Sequence, residues 1–150
     1  MKKILLSLFA GLLCAAANAQ FVARMEVKEP LPGACDSTNV YALFTGFTGQ
    51  IPPVAPWDEK QLGAKLQNIQ FLKDNPKFKG KMMINCIINC KGEMIKCTVD
   101  NKSGNDELDK QVLAIFQDMK KWTPGTLDGN AVDTTVLYSI EIKKGKITVS

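Results

Sequence analysis

The cysteines are the residues of this chain whose type and spacing most directly suggest chemistry. Five occur among 150 residues, and one of them, Cys14, lies in an apolar N-terminal run. The other four are Cys35, Cys86, Cys90 and Cys97. Cysteines form disulfides, bind zinc as thiolates or carry redox chemistry. An even count in an exported chain favours disulfides.

Zinc binding and redox catalysis are the alternatives. The spacing here is C-x3-C-x6-C with the fourth cysteine far upstream, whereas structural zinc sites usually draw paired cysteines from short knuckles. Redox catalysis uses C-x-x-C at a helix N-terminus, and the sequence contains no such motif. We therefore expect neither a metal nor another cofactor.

The pairing of the cysteines follows from a predicted β-hairpin. A two-residue turn at Lys91-Gly92 places Cys86 directly opposite Cys97, close enough for a bridge after a modest adjustment. Cys90, at the turn, is then left for Cys35. A bulge at Gly92 shifts the register by one residue, so the pairing stays open at this point.

The sequence offers little evidence for an enzyme active site. The chain has no histidine for general base work, and no Gly-rich loop opens a helix after a strand. Asp106, Glu107 and Asp109 form a carboxylate cluster, but acidic residues are common at helix N-termini because they complement the helix dipole. We expect a protein that is not an enzyme.

The N-terminus has the pattern of a signal peptide over residues 1–19. Lys2 and Lys3 precede an apolar run, and Ala17-Asn18-Ala19 is a small-x-small cleavage site. Cleavage between Ala19 and Gln20 predicts a periplasmic or secreted protein without a stable membrane span. An uncleaved anchor and a lipid on Cys14 are the alternatives, although a small residue is missing before Cys14.

The rest of the chain divides into an irregular arm, residues 20–56, and one domain, residues 57–150. The arm is rich in proline and glycine, and we expect it to pack partly on the domain. The lysines are scattered along the chain rather than collected in a stripe, so nucleic acid is not an expected partner.

Periodicity predicts the elements of the domain in the order helix, strand, strand, helix, strand. Asp58 and Gln61 form a capping box for a helix of about 14 residues that ends at Asn75-Pro76. A hairpin turns at Lys91-Gly92. A second helix opens at 103–106, with basic residues in its last turn, and a final alternating strand follows.

The predicted fold is α+β, a three-stranded sheet in the order 2-1-3 with two helices on one face. In this arrangement the last strand is an edge. Its unpaired backbone groups can accept an extended peptide, or the same edge of a second copy in a homodimer. The predicted partner-binding residues are Asp133, Thr134, Thr135, Val136, Leu137, Tyr138, Ser139, Ile140, Glu141 and Ile142. The lysines that follow are expected to form a solvated tail.

Residues 80–142 resemble the TonB C-terminal domain family, in the style of versions from Bacteroidetes. The motifs that carry the resemblance are Gly80-Lys81, Ile88-Asn-Cys-Lys-Gly92, Asp100-Asn-Lys-Ser103-Gly104, Leu108-Asp109-Lys110, Trp122-Thr-Pro124-Gly125 and Gly129-Asn-Ala-Val132. The resemblance implies a periplasmic module that binds a short segment of an outer-membrane receptor by strand addition at its last strand.

The chain also departs from this family. A full transducer for transport across the outer membrane has an N-terminal anchor and a long Pro-rich spacer, whereas this chain has a cleavable signal and a short arm. The four cysteines are not a family feature. The alternatives to a peptide-binding module are therefore a membrane-anchored energy transducer and a disulfide-stapled structural envelope protein.

Overall fold

The computed structural model describes residues 21–150, so the predicted signal peptide, its cleavage site and Cys14 lie outside the described residues. The elements, in chain order, are β1 Ala23–Glu26, β2 Asn39–Ala42, β3 Gln50–Ile51, α1 Glu59–Gln67, α2 Gln70–Asp74, β4 Gly80–Ile88, β5 Met94–Asn101, α3 Asp106–Gln117, β6 Thr126–Leu127, β7 Asn130–Ala131, β8 Thr134–Lys143 and β9 Lys146–Val149. The mixed α+β class is confirmed.

The first predicted helix is two helices. The capping box is present, because the Gln61 amide donates to the Asp58 side chain and the Asp58 amide donates to that of Gln61. The helix stops at Asn68, whose side chain donates to the Ala64 carbonyl at 3.0 Å. Such local bonding competes with helix continuation. The extended backbone of Ile69 then starts α2.

The hairpin β4–β5 reaches the predicted register by a different route. Asn89 and Gly92 close the turn, and the Asn89 amide bonds to the Glu93 carbonyl, so the loop has three residues rather than two. A register shift between Ile87 and Ile88 compensates for the extra loop residue. Cys86 therefore lies opposite Cys97, as predicted.

Helix α3 begins where the sequence predicts and ends earlier. The Asn105 side chain caps it by accepting the Leu108 amide at 3.0 Å. The helix ends at Gln117, so Lys120 and Lys121 lie beyond it and the predicted basic last turn is absent. Lys121 adopts a positive φ of 64°, which reverses the chain and returns Trp122 to the core.

The core lies between the helices and one face of the sheet. It joins alternate residues of β4 and β8 to the apolar stripes of α1 and α3, among them Met82, Ile84, Ile140, Leu66 and Phe116. Trp122 is buried, and Trp57 packs against the cluster from its margin. Burial of each large apolar side chain stabilises the fold by roughly 1.5–3 kcal/mol.

The expectation of a three-stranded sheet is wrong. The main sheet has six strands in the order β1-β2-β8-β4-β5, with β9 also paired to β8. The three strands predicted from periodicity are neighbours within it, but short strands from both ends of the chain extend the sheet. The last predicted strand, β8, is therefore not an edge; the outermost strands of this path are β1 and β5.

The residues after β8 form a strand rather than a solvated tail. Lys144 and Gly145 have φ values of 51° and 71°, as the two central residues of a tight hairpin turn require. β9 then pairs with β8 from Ile140↔Val149 to Lys143↔Lys146.

The arm holds three of the short strands. β1 and β2 form an antiparallel pair, and β2 meets β8 in parallel at Tyr41↔Thr134. β3 joins β6 and β7 in a second small sheet. Val54 pairs with Thr123 through two backbone hydrogen bonds of 3.0 and 2.9 Å. The arm is thus attached to the domain at several places.

The Trp-Thr-Pro-Gly segment lies on the turn of the first hairpin. The Trp122 amide donates to the Gly92 carbonyl at 3.0 Å. Gly92 has a φ of +79°, and a Cβ at this position would lie 2.1 Å from the Trp122 carbonyl oxygen. Only glycine fits between the two backbones.

We expect Gly92→Ala to lower the free energy of unfolding by about 3 kcal/mol, since it adds the left-handed penalty to the loss of the bond from Trp122. Denaturant unfolding measures this change. Gly129→Ala is the matched control, because Gly129 has a φ of +81° and a Cβ added there would meet no heavy atom within 4 Å. Equal losses in the two variants would contradict the close contact with Trp122.

Candidate functional site

The outer edge of β8 is covered at both ends and open in the middle. β2 bridges it at Thr134, and β9 pairs with residues 140–143. Ser139 and Ser150 exchange two backbone hydrogen bonds of 2.8 and 3.0 Å. Among the described residues, no strand pairs with this side of residues 136–138. We call these three residues the β8 gap.

The direction of the backbone groups limits what the gap offers. Amide and carbonyl of one strand residue point the same way, and successive residues point to opposite sides. Ser139 points to the outer edge, where it bonds to Ser150. Leu137, two residues earlier, therefore also points outward. The gap presents the amide and carbonyl of Leu137, and the Leu137 side chain is 52% exposed.

The ten residues predicted as a binding edge separate into different environments. Asp133, Thr134, Ile140 and Ile142 are buried. Val136 and Tyr138 pack partly against the core. On the opposite face, Glu141 lies 3.2 Å from Lys81 and 2.8 Å from Lys143. Hydrogen bonds from Lys143 and Lys81 lower the pKa of its carboxyl.

The disulfide between Cys35 and Cys90 is present, as predicted. The sulfur atoms are 2.04 Å apart, and the two residues are separated by 55 positions in sequence. The bridge joins the arm to the hairpin turn of the domain. It also excludes these two sulfurs as thiolate ligands, although they lie close to the Asp133 carboxylate.

The Asp133 carboxylate binds the backbone amides on both sides of this bridge. Asp133 is 1% exposed, and its carboxylate accepts three backbone amides, from Cys35 at 2.7 Å, Asp36 at 2.8 Å and Cys90 at 2.9 Å. Its backbone carbonyl accepts the Tyr41 amide at 2.9 Å. We call this arrangement the Asp133 clip. The prediction that Asp133 belongs to an open binding edge is therefore wrong.

The predicted Cys86–Cys97 bridge is not formed in the structure. The two sulfurs lie 3.4 Å apart, and both cysteines are free thiols. Directly opposed strand residues have Cβ atoms about 4.5–5.5 Å apart, wider than the mean of about 3.8 Å in a disulfide. Cys86 is also packed in the core. The hydrogen bond with Cys97 and burial raise the pKa of the Cys86 thiol above its ordinary value.

The carboxylate cluster at the start of α3 is engaged locally. Asp106 lies 2.9 Å from the Lys102 ammonium. Asp109 is buried, and its Oδ1 accepts the Ser103 amide at 3.0 Å. Its Oδ2 has no hydrogen-bond partner among the described residues. The cluster supports the entry to the helix, and its geometry assembles no nucleophile with a base.

An apolar surface lies beside the β8 gap. The large apolar side chains that are exposed are Phe21, Met25, Phe44, Phe47, Ile51, Val54 and Leu137. All but Leu137 come from the arm. The rings of Phe21, Phe44 and Phe47 lie 5.7–6.3 Å apart, centroid to centroid. Grouped exposed apolar residues mark interaction surfaces more often than isolated ones do.

A cavity of about 520 Å³ opens between this surface and the sheet. Met25, Leu43 and Phe44 of the arm line one part of it, and Leu137 lines another. Its polar part contains Asn85 and Asp100. We call it the edge pocket. Its volume falls within the range of ligand sites, about 300–1,000 Å³.

Within residues 21–150, no helix combines the length and apolar character needed to cross a membrane.

Residues 76–143 match the family model described as Gram-negative bacterial TonB protein C-terminal. No curated protein and no solved structure matches the chain significantly. The matched segment runs from Pro76 to the end of β8, so the arm, α1, α2 and β9 lie outside it.

Proposed function

Residues 76–143 form a TonB C-terminal domain, a type of protein-interaction module, and from this premise we propose that the chain binds an extended segment of an outer-membrane receptor. The segment adds as a short strand at the β8 gap. The protein works in the periplasm or outside the cell, after cleavage of its signal peptide, and it is not an enzyme.

The β8 gap is the observation that carries this proposal. An extended peptide gains affinity from backbone bonds to an open strand, and it gains selectivity from pockets for alternate side chains. The gap offers the outward amide and carbonyl of Leu137, and the edge pocket adjoins it. The remaining length of the predicted edge is occupied by β2 and β9. Pairing along residues 139–143 therefore requires β9 to leave.

The test is a residue-resolved NMR titration of the purified protein with peptides from the N-terminal plug segments of receptors of the same cell. We expect saturable shifts at 136–138 and slowed amide exchange at Leu137. Leu137→Pro removes the outward amide, and the bonds from β8 to β4 remain because that amide points away from β4. We expect the variant to lose at least tenfold in affinity.

Leu137→Thr is the matched control, because it keeps the amide and changes only the side chain. If Leu137→Pro binds as well as Leu137→Thr, the peptide does not add as a strand at this position and the proposal fails.

A disulfide-stapled structural envelope protein is the second candidate. It is favoured by the coverage of β8 at both ends and by the Asp133 clip, which make the edge part of a closed architecture. Complete absence of shifts at residues 136–138 with every receptor peptide would support it.

Pairing of two copies through β1 or β5, the outermost strands, would appear as a concentration-dependent mass in the same samples.

An anchored transducer is distinguished by the N-terminus of the exported protein. A terminus at Gln20 agrees with the proposal, whereas a retained leader would favour the membrane-anchored transducer.

A further inference from the structure

A group of lysines collects at the end of the main sheet where β8 turns into β9. The group comes from two short segments of the chain, residues 77–81 and residues 141–146, and every member is exposed. Its members are Lys77, Lys79, Lys81, Lys143, Lys144 and Lys146. We call this group the lysine end.

The charge of the protein is divided unevenly between the lysine end and the rest of the molecule. The two segments carry six basic residues and one acidic residue, Glu141. The other described residues carry 11 basic and 14 acidic residues, so the rest of the molecule is slightly negative. Glu141 pairs with Lys81 and Lys143. The other four lysines have no carboxylate oxygen within 4.0 Å in the part of the chain that the structure describes.

The fold holds the two segments side by side. The Gly145 amide donates to the Phe78 carbonyl at 3.1 Å, which joins the β8–β9 turn to the residues before β4. The Gln67 side chain of α1 holds the same turn, because it donates to the Gly145 carbonyl at 2.9 Å and accepts the Ile147 amide at 3.1 Å. The lysines therefore cannot move apart without loss of these hydrogen bonds.

This concentration of like charge opposes folding. Lys143 and Lys146 are directly opposed across the β8–β9 pair, and like charges at opposed positions destabilise a strand pair. Lysines on an edge strand protect against aggregation, which accounts for Lys146. The same reason does not account for Lys77, Lys79 and Lys144, because they lie outside the strands. A partner with many negative charges accounts for the whole group.

The type of basic residue indicates which negative partner fits. The lysine end contains no arginine, and Arg24 is the only arginine of the chain. Arginine suits the paired recognition of one carboxylate or phosphate, whereas lysine acts as a point charge on a flexible stem. Flexible point charges on an exposed turn suit a surface whose negative groups are spread and mobile. The phosphate headgroups of a lipid layer form such a surface, and they attract clusters of lysines.

We propose that the lysine end binds the protein to an anionic lipid surface through the phosphate headgroups. The sheet then stands with this end toward the lipid. Leu137 precedes Lys143 by six residues on β8, a distance of about 20 Å along an extended strand. The β8 gap therefore stays clear of the lipid. The inference goes beyond the proposed function and does not depend on it.

Sedimentation with lipid vesicles tests this inference with the purified protein. One set of vesicles contains phosphatidylcholine alone, and the other contains phosphatidylcholine and phosphatidylglycerol in equal parts. We expect the protein to bind the mixed vesicles only. Salt screens exposed charges, so we expect affinity to fall about tenfold or more between about 0.05 M and about 0.3 M salt. Equal binding to the neutral vesicles would overturn the inference.

A charge reversal locates the contact on the protein. Lys77→Glu combined with Lys146→Glu should weaken binding to the mixed vesicles at least about tenfold, because each lysine near an anionic surface contributes about fivefold in affinity. The change at position 146 places opposite charges across the β8–β9 pair, so the variant should fold at least as well as the original protein. Thermal unfolding checks this expectation.

Lys91→Glu combined with Lys96→Glu is the matched control. Both lysines are exposed, and they lie at and near the β4–β5 turn, at the other end of β4 from Lys81. The control makes the same change in net charge, and it should leave affinity for the mixed vesicles nearly unchanged.

The outcomes distinguish the lysine end from net charge and from other polyanions. Equal losses in the two double variants mean that net charge alone attracts the protein, and they overturn the inference. Tighter binding to heparin or duplex DNA than to the mixed vesicles at the same salt assigns the lysine end to a soluble polyanion and also overturns it. A loss confined to the variant at positions 77 and 146 supports the inference, whether or not receptor peptides shift residues 136–138.

Discussion

Replacing both Cys35 and Cys90 by serine is expected to lower the free energy of unfolding by about 4 kcal/mol. The two residues are 55 positions apart, and the chain-entropy model assigns about this value to a loop of that length. The loss is a large fraction of the roughly 5–15 kcal/mol that typically stabilises a folded domain. Denaturant unfolding of the variant and of the oxidised protein measures it.

The loss of the bridge is expected to destabilise the arm more than the rest of the protein. Without the bridge, β1 and β2 are held by the clip and by short pairings, so we expect hydrogen exchange to accelerate first in residues 23–42. Cys97→Ser is the control, because Cys97 is a partly exposed free thiol. An unchanged midpoint in the Cys35 and Cys90 variant would mean that the bridge is not formed in the protein in solution.

Replacing Asp133 by alanine is expected to cost at least about 3 kcal/mol, since three amides lose a charged acceptor and the buried ones go unpaired. Asp133→Asn should recover only part of this loss. Both carboxylate oxygens accept amides, and an asparagine has only one accepting oxygen, so its amino group would face a backbone donor. Thermal and denaturant unfolding measure the stability of both variants, and we expect Asp133→Asn to be the more stable of the two.

Glu29→Ala is the control for Asp133→Ala, because it removes an exposed acidic side chain from the arm that the clip holds. The clip and the disulfide share the backbones of Cys35 and Cys90, so their effects should not be additive. A triple variant that loses the simple sum of the two effects would show that the clip acts independently of the bridge.

The sequence predicts the elements whose periodicity is long. The hairpin, α3 and β8 each carry eight or more residues of regular pattern, and a pattern of that length is set by burial of one face. The capping box of α1 is equally local, so Asp58 and Gln61 are identified correctly. The Cys35–Cys90 bridge is predicted by elimination after Cys86 is paired with Cys97, so a correct pairing follows from a bridge that does not form.

The missed features depend on distant contacts or on very short elements. β9 has four residues, although the Lys144-Gly145 dipeptide repeats the turn signal of Lys91-Gly92 and was available to find it. β2 meets β8 through one parallel bridge, which leaves no pattern in either segment. In the sequence Asp133 resembles any polar strand residue. Its role depends on the amides of Cys35 and Cys90, which are distant in sequence and meet its carboxylate only in the fold.

For the candidate site, the sequence identifies the strand but not its state of coverage. The alternation of β8 is visible locally, whereas the strands that cover its edge come from the two ends of the described chain. The edge pocket is invisible for the same reason, since its wall and its carboxylate belong to segments that meet only in the fold.

The Asp133 clip also constrains the order in which the protein acquires its structure. Three amides of the arm, those of Cys35, Asp36 and Tyr41, have their acceptors on residue 133. During synthesis the arm therefore cannot complete its hydrogen bonds until almost all of the chain has followed. Contacts of such large sequence separation make folding slow. The closing of the clip therefore marks the arrival of the C-terminal strands.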